Sequence, residues 1–153
     1  MDRRRERDKL SQLLRLQKLQ GALEEHRLIT SVAELLRAQH DAEVHEAHLQ
    51  GSVRDLENLL NGSAFCPEAF ALAGACVLLD ERSVADAQEK VVDAQAQEAE
   101  QRIVWHQAGR KEDWLTVKTN RLARKVVQLQ EDKTTLEVAA TQWLNAERGA
   151  QWI

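Results

Sequence analysis

The sequence predicts an all-α protein, a long antiparallel two-helix coiled-coil hairpin in which the second helix overhangs the first. Three observations carry this. Apolar residues recur at alternating steps of three and four over most of the chain, and the pattern breaks once, near residues 61–67. The composition is one Pro, six Gly, no Tyr and 30% charged residues in 153. Such spacing draws one narrow stripe along each helix, and two stripes bury each other by knobs-into-holes packing. Few helix breakers and many charges suit long helices sharing a thin seam, hence a rod-like molecule without a thick core.

Helix 1 is predicted over about residues 3–60. Leu28, Val32, Leu35, Gln39, Ala42, Glu46, Leu49, Val53, Leu56 and Leu60 keep the spacing. Upstream, Leu10, Leu13, Leu14, Leu16, Leu19, Ala22 and Leu23 are apolar but less strictly phased, so the helix is clearer there than its register. Asn61-Gly62-Ser63 is a helix stop and turn, placed at about residues 61–66. Pro67 suits the first turn of a new helix, with Ser63 or Cys66 before it and Glu68 at the positive helix end. Helix 2 is predicted over about 67–148, and its stripe runs unbroken from Phe70, Ala73, Val77, Asp80 and Val84 to Leu136, Ala140 and Trp143. The whole chain, 1–153, thus reads as a single helical hairpin.

A short connection makes the helices antiparallel neighbours. Pairing about the turn sets Arg3 beside Arg124, where helix 1 runs out. Helix 2 then continues with Val126, Leu129, Leu136, Ala140 and Trp143 still on its stripe. Uncovered apolar surface of this kind calls for a partner protein or a second copy. Charge is divided along the same line. Residues 24–100 carry sixteen acidic and five basic side chains, a net of −11, and the remainder carry sixteen basic and nine acidic, a net of +7. The turn end is acidic and the open end basic, with Arg3, Arg4, Arg5, Arg7 and Lys9 near Lys118, Arg121, Arg124 and Lys125. Crowded like charges favour an acidic partner, although a plain solvated face is the ordinary alternative.

Candidate chemistry is sparse. His40, His45 and His48 form the one concentrated imidazole cluster, but the spacing is not HExxH and helix 2 offers no matching His or Cys, so exposed surface histidines are the better reading. Gly21, Gly51, Gly74 and Gly109 are isolated within helical pattern and make no phosphate-binding loop. Gly21 and Gly109 are expected nearly opposite each other, close to Glu98, Gln101 and Glu112, as the weakest stretch of the rod. Neither a nucleophile elbow nor paired catalytic carboxylates occur, so no enzymatic activity, cofactor or metal is expected. Acidic residues interrupt the Arg-rich start and no aromatic residues interleave it, which argues against nucleic acid. Cys66 and Cys76 lack metal-site or CxxC spacing and are expected as reduced cytoplasmic thiols. No apolar run is long enough to insert in a membrane, and no signal-type stretch follows the first residues. Trp105 is expected in the seam, Trp114 at its flank and partly covered, and Trp143 and Trp152 beyond the end of helix 1.

This architecture, the stretch from Arg102 through Trp105, Arg110, Lys111 and Trp114 to Leu115, and the charged start from Arg3 to Leu10 resemble the central-stalk family of type III secretion, of the flagellar FliJ and injectisome YscO type. The resemblance implies a bacterial cytoplasmic, non-enzymatic stalk or adaptor of the secretion apparatus, similar in fold to the coiled coil of the rotary ATPase γ subunit. Its open end would contact the hexameric secretion ATPase through Arg3, Arg4, Arg5, Arg7, Arg121, Arg124, Lys125, Leu129, Leu136 and Trp143. The turn end, about Phe70 to Ala87 with Phe70, Val77 and Val84, would approach the export gate protein, and family members also bind export chaperones. The free chain is expected as a monomer or weak homodimer. The rival reading is a self-associating coiled-coil scaffold in which two hairpins bury the overhang in a four-helix bundle.

Overall fold

The computed structural model describes the backbone of residues 2–150 and the side chains of residues 5–147. It contains two helices, α1 (Asp2–Asn61) and α2 (Pro67–Ala150), and no strand among the described residues. The helices pack on one another as an antiparallel hairpin. Cross-helix contacts run in opposite senses along the two helices: Ser52 with Asp80, Glu46 with Gln88, Glu24 with Gln101, and Gln17 with Ala108.

The connection is built from local chemistry. Gly62 does not use a left-handed backbone; there is no positive φ among the described residues. A Cβ there would lie 3.4 Å from the Asn58 carbonyl and 3.7 Å from that of Leu59, ordinary contact distances, so neither space nor backbone conformation demands glycine at the turn. The Cys66 carbonyl accepts the first intrahelical bond of α2 from the Phe70 amide at 3.0 Å. Cys66 is therefore the N-cap and Pro67 the first helical residue, where a missing N–H costs nothing. Phe65 and Phe70, just outside the cap and one turn inside, stack with ring centroids 5.6 Å apart, a hydrophobic staple that fixes the entry of the chain.

The chain forms two compact units. In the unit spanning Ala22–His106, the seam of α2 follows the predicted phase. Val84 and Ala87 are buried, and Phe70, Ala73, Val77, Asp80, Val91, Ala94, Glu98 and Gln101 are half-buried. From α1 it receives Ala42, buried, with Leu28, Val32, Leu35, Gln39, Leu49, Val53 and Leu56 half-buried. Three expectations fail here. Leu60 is 56% exposed and Leu59, three residues after Leu56 rather than four, is half-buried in its place. Glu46 lies exposed at the seam edge, bonded to the Gln88 amide at 3.2 Å. Trp105 is 36% exposed, with its ring beside that of His106, centroids 4.8 Å apart.

The other unit joins the start of α1, up to Gly21, with α2 from Gln107, and its buried and half-buried residues on α2 end at Val126 among those described. Leu10, Ala108 and Val126 are buried, and Leu14, Gln17, Gly21, Glu112, Leu115, Thr119 and Leu122 are half-buried. The register of early α1, unclear from sequence, is thereby set. Its seam runs Leu10, Leu14, Gln17, Gly21 and leaves Leu13, Leu16 and Leu19 exposed. Gly21 faces the Glu112 carboxylate, 3.4 Å from where a Cβ would stand, whereas Gly109 is exposed with open space around it, so the two glycines do not oppose each other.

Candidate protein interface

Buried polar residues divide the seam. Glu24, 5% exposed, is the one buried charged residue among those described. Its carboxylate accepts a hydrogen bond from the Gln101 side-chain amide at 2.7 Å and pairs with Arg27 at 2.9 Å. Gln17 donates to the Ala108 carbonyl at 3.3 Å, and Asp80 accepts from the Ser52 hydroxyl at 2.5 Å. Every buried side-chain polar atom among the described residues has a partner. The ion pairs, Arg7–Asp8, Arg27–Glu24, Arg102–Glu98 and Lys133–Glu137, all lie within one helix.

The predicted ATPase-facing residues divide into two sets. Val126 is the last buried residue of α2 among those described; from Val127 to Glu147 every side chain is exposed. Leu129 (46%), Leu136 (71%) and Trp143 (61%) keep the seam phase but are exposed. Arg5, Arg121, Arg124 and Lys125 are exposed, while Arg7 is half-buried and paired with Asp8 at 3.2 Å. Arg3, Arg4 and Trp152 lie outside the residues whose side chains are described.

The residues predicted to face an export gate are placed differently. Phe70 and Val77 are half-buried and Val84 is buried in the hairpin seam, because they occupy its 3-4 phase. The exposed apolar residues of that segment are Leu72, Leu78 and Leu79. Trp114 departs from expectation as well. It is 59% exposed on the outer side of α2, with the Lys118 ammonium 4.7 Å from its ring centre and Val117 and Arg121 beside it in a shallow groove. The cation lies one turn along the same face, an i to i+4 relation visible in sequence, and cations over an indole face are attracted to it.

His40, His45 and His48 are all exposed, and His45 lines a groove with Glu34, Asp41 and Asp86. No group of three or more His, Cys, Asp or Glu among the described residues is placed to hold a metal ion. Cys66 and Cys76 are exposed and unbridged. No described helix is long and apolar enough to cross a membrane.

Fold and surface together define an all-α helical hairpin with a polar-punctuated seam and an uncovered apolar stripe beside basic side chains. Neither a known protein family, nor a curated protein, nor a solved structure matches the chain.

Proposed function

We propose that this chain is a non-enzymatic stalk or adaptor of a bacterial type III protein secretion apparatus, at its cytoplasmic face. Its basic end contacts the hexameric secretion ATPase, and the turn end or other surfaces serve the export gate protein or export chaperones. The observation that carries the reading is the exposed stripe Leu129, Leu136 and Trp143, next to Arg121, Arg124 and Lys125. A two-helix hairpin with such an end suits insertion into a ring with acidic inner loops: apolar anchors give affinity, and the cations give steering and orientation. The action is mechanical, with asymmetric contact to a few ring subunits favouring ring assembly and coupling. Near the turn, exposed Leu72, Leu78 and Leu79 are better placed for a gate contact than the seam residues.

A pull-down of a secretion ATPase by the full chain tests this. Charge reversal at Arg5, Arg121 and Arg124 together with Leu136→Asp should abolish capture, and undiminished capture would refute the basic-end contact. The same uncovered stripe also supports the scaffold reading, in which two copies bury it against each other. Light scattering on the eluting protein separates the two, since a dimer abolished by Leu129→Asp or Leu136→Asp favours the scaffold.

A further inference from the structure

Helix α2 carries two more periodic faces that the hairpin does not cover, and they are opposite in charge. In the Ala22–His106 unit, Ala85, Glu89, Val92, Ala96, Ala99 and Ile103 recur at alternating steps of four and three, and all are exposed. Val92 is 63% and Ile103 57% exposed, and Asp93 and Glu100 stand alongside. In the other unit, Arg110, Trp114, Val117, Arg121 and Arg124 recur with the same steps and are likewise exposed. Lys111, Lys118 and Lys125 flank them, and Asp113 is the one adjacent acid off the seam. Among the described residues none of these flanking charges takes part in an ion pair.

We propose that the Trp114 face of one copy docks on the Val92 face of a second copy of this chain. The argument is complementarity of period and of charge. Both faces carry the 3-4 spacing by which helices interdigitate, with Trp114 and Val117 as knobs on one side and small residues, Ala96 and Ala99, leaving holes on the other. Cations crowded on the first face repel one another when free, and Glu89, Asp93 and Glu100 of the second copy neutralise them. The long arginine stems also extend the apolar contact around the indole. A nucleic acid fits less well, because Trp114 is the sole aromatic residue on its stripe and base stacking uses several. The proposal stands independently of the secretion reading. Should both hold, Arg121 and Arg124 are shared, so self-association and the ATPase contact exclude each other.

Sedimentation velocity of the full chain over a concentration series, at about 0.05 M and about 0.5 M salt, reads the association directly. Concentration-dependent self-association is expected at low salt, weakened about tenfold or more at high salt. Trp114→Ala, the pair Lys118→Glu with Arg121→Glu, and the pair Glu89→Lys with Asp93→Lys should each weaken it about tenfold without loss of helical circular dichroism. Mixing the two charge-reversed proteins should restore association that neither shows alone, a result that misfolding cannot imitate. The proposal is overturned if the chain stays monomeric at low salt. It is equally overturned if association ignores these changes and is lost in Leu136→Asp, which would make the overhanging stripe the interface. A monomeric chain in which Trp114→Ala weakens ATPase capture would assign the face to an acidic partner instead.

Discussion

Replacing Gln101 with Leu tests whether the buried carboxylate of Glu24 is held by its amide. Gln101 donates to that carboxylate at 2.7 Å, and Glu24 is 5% exposed, so removing the donor strands an acceptor that water reaches poorly. A hydrogen bond to a charged group contributes roughly 1.5–3 kcal/mol. The surviving Arg27 pair offsets little of that loss, since the arginine side chain is 57% exposed and screened. Leucine at the half-buried site returns up to about 1 kcal/mol through apolar burial. The net is a loss of about 1–2 kcal/mol, or roughly 2–8 °C in Tm for a chain of this size. The double variant Glu24→Leu with Gln101→Leu removes both polar partners and should be at least as stable as the native chain, because a packed apolar pair replaces a buried polar one. Thermal and urea unfolding of both variants and of Glu24→Leu alone, followed at 222 nm, completes the cycle. If Gln101→Leu alone is as stable as the native chain, or the double variant is no better than the single, the amide does not hold the carboxylate and the account is wrong.

Three further outcomes are expected. Gly21→Ala should stabilise the chain by about 0.5–1 kcal/mol, since the new methyl meets only the flexible end of Glu112, 3.4 Å away, and alanine is the better helix former; a drop in urea midpoint would contradict it. Leu136→Asp should leave stability within about 0.5 kcal/mol because the side chain is 71% exposed, and a large loss would mean that the stripe is covered within the chain. Hydrogen exchange resolved by residue should find faster opening around Gln17–Glu24 and Gln101–Glu112 than around Ala42 and Val84, and uniform protection would contradict that ranking.

The seam of α2 could be read from sequence because its period never slips between Phe70 and Val126, so even Asp80, Glu98 and Glu112 fall in phase and are half-buried. Early α1 could not. Its seam positions Gln17, Gly21 and Glu24 are polar or bare, whereas the leucines at 13, 16, 19 and 23 advertise a different face. Hydrophobicity there marks surface rather than core, and only the partner helix resolves which stripe is covered. Trp114 was misplaced for a related reason. One residue is about 100° of turn, so the position before Leu115 falls on the outer side of α2, where Lys118 then meets the indole. Phe70 and Val77, half-buried, and Val84, buried, contribute first to the seam, which their 3-4 phase already indicated. The turn was legible in its punctuation, but the Phe65–Phe70 staple was not, since it depends on the exact cap position.

Among the described residues no large side chain is fully buried, and the most enclosed seam positions include Ala42, Ala87 and Ala108. Cohesion therefore rests on many small seam contacts with no single anchor, stronger around Ala42 and Val84 than in the polar stretch near Gln17 and Glu24. Parting the helices from one end costs only the turns already parted: beside the open end, the contacts of Leu10 and Val126 and then those of Leu14 and Leu122. A molecule that levers into that end need not overcome the stability of the whole chain. It meets a graded resistance, and the extent of opening can report how strongly it is held.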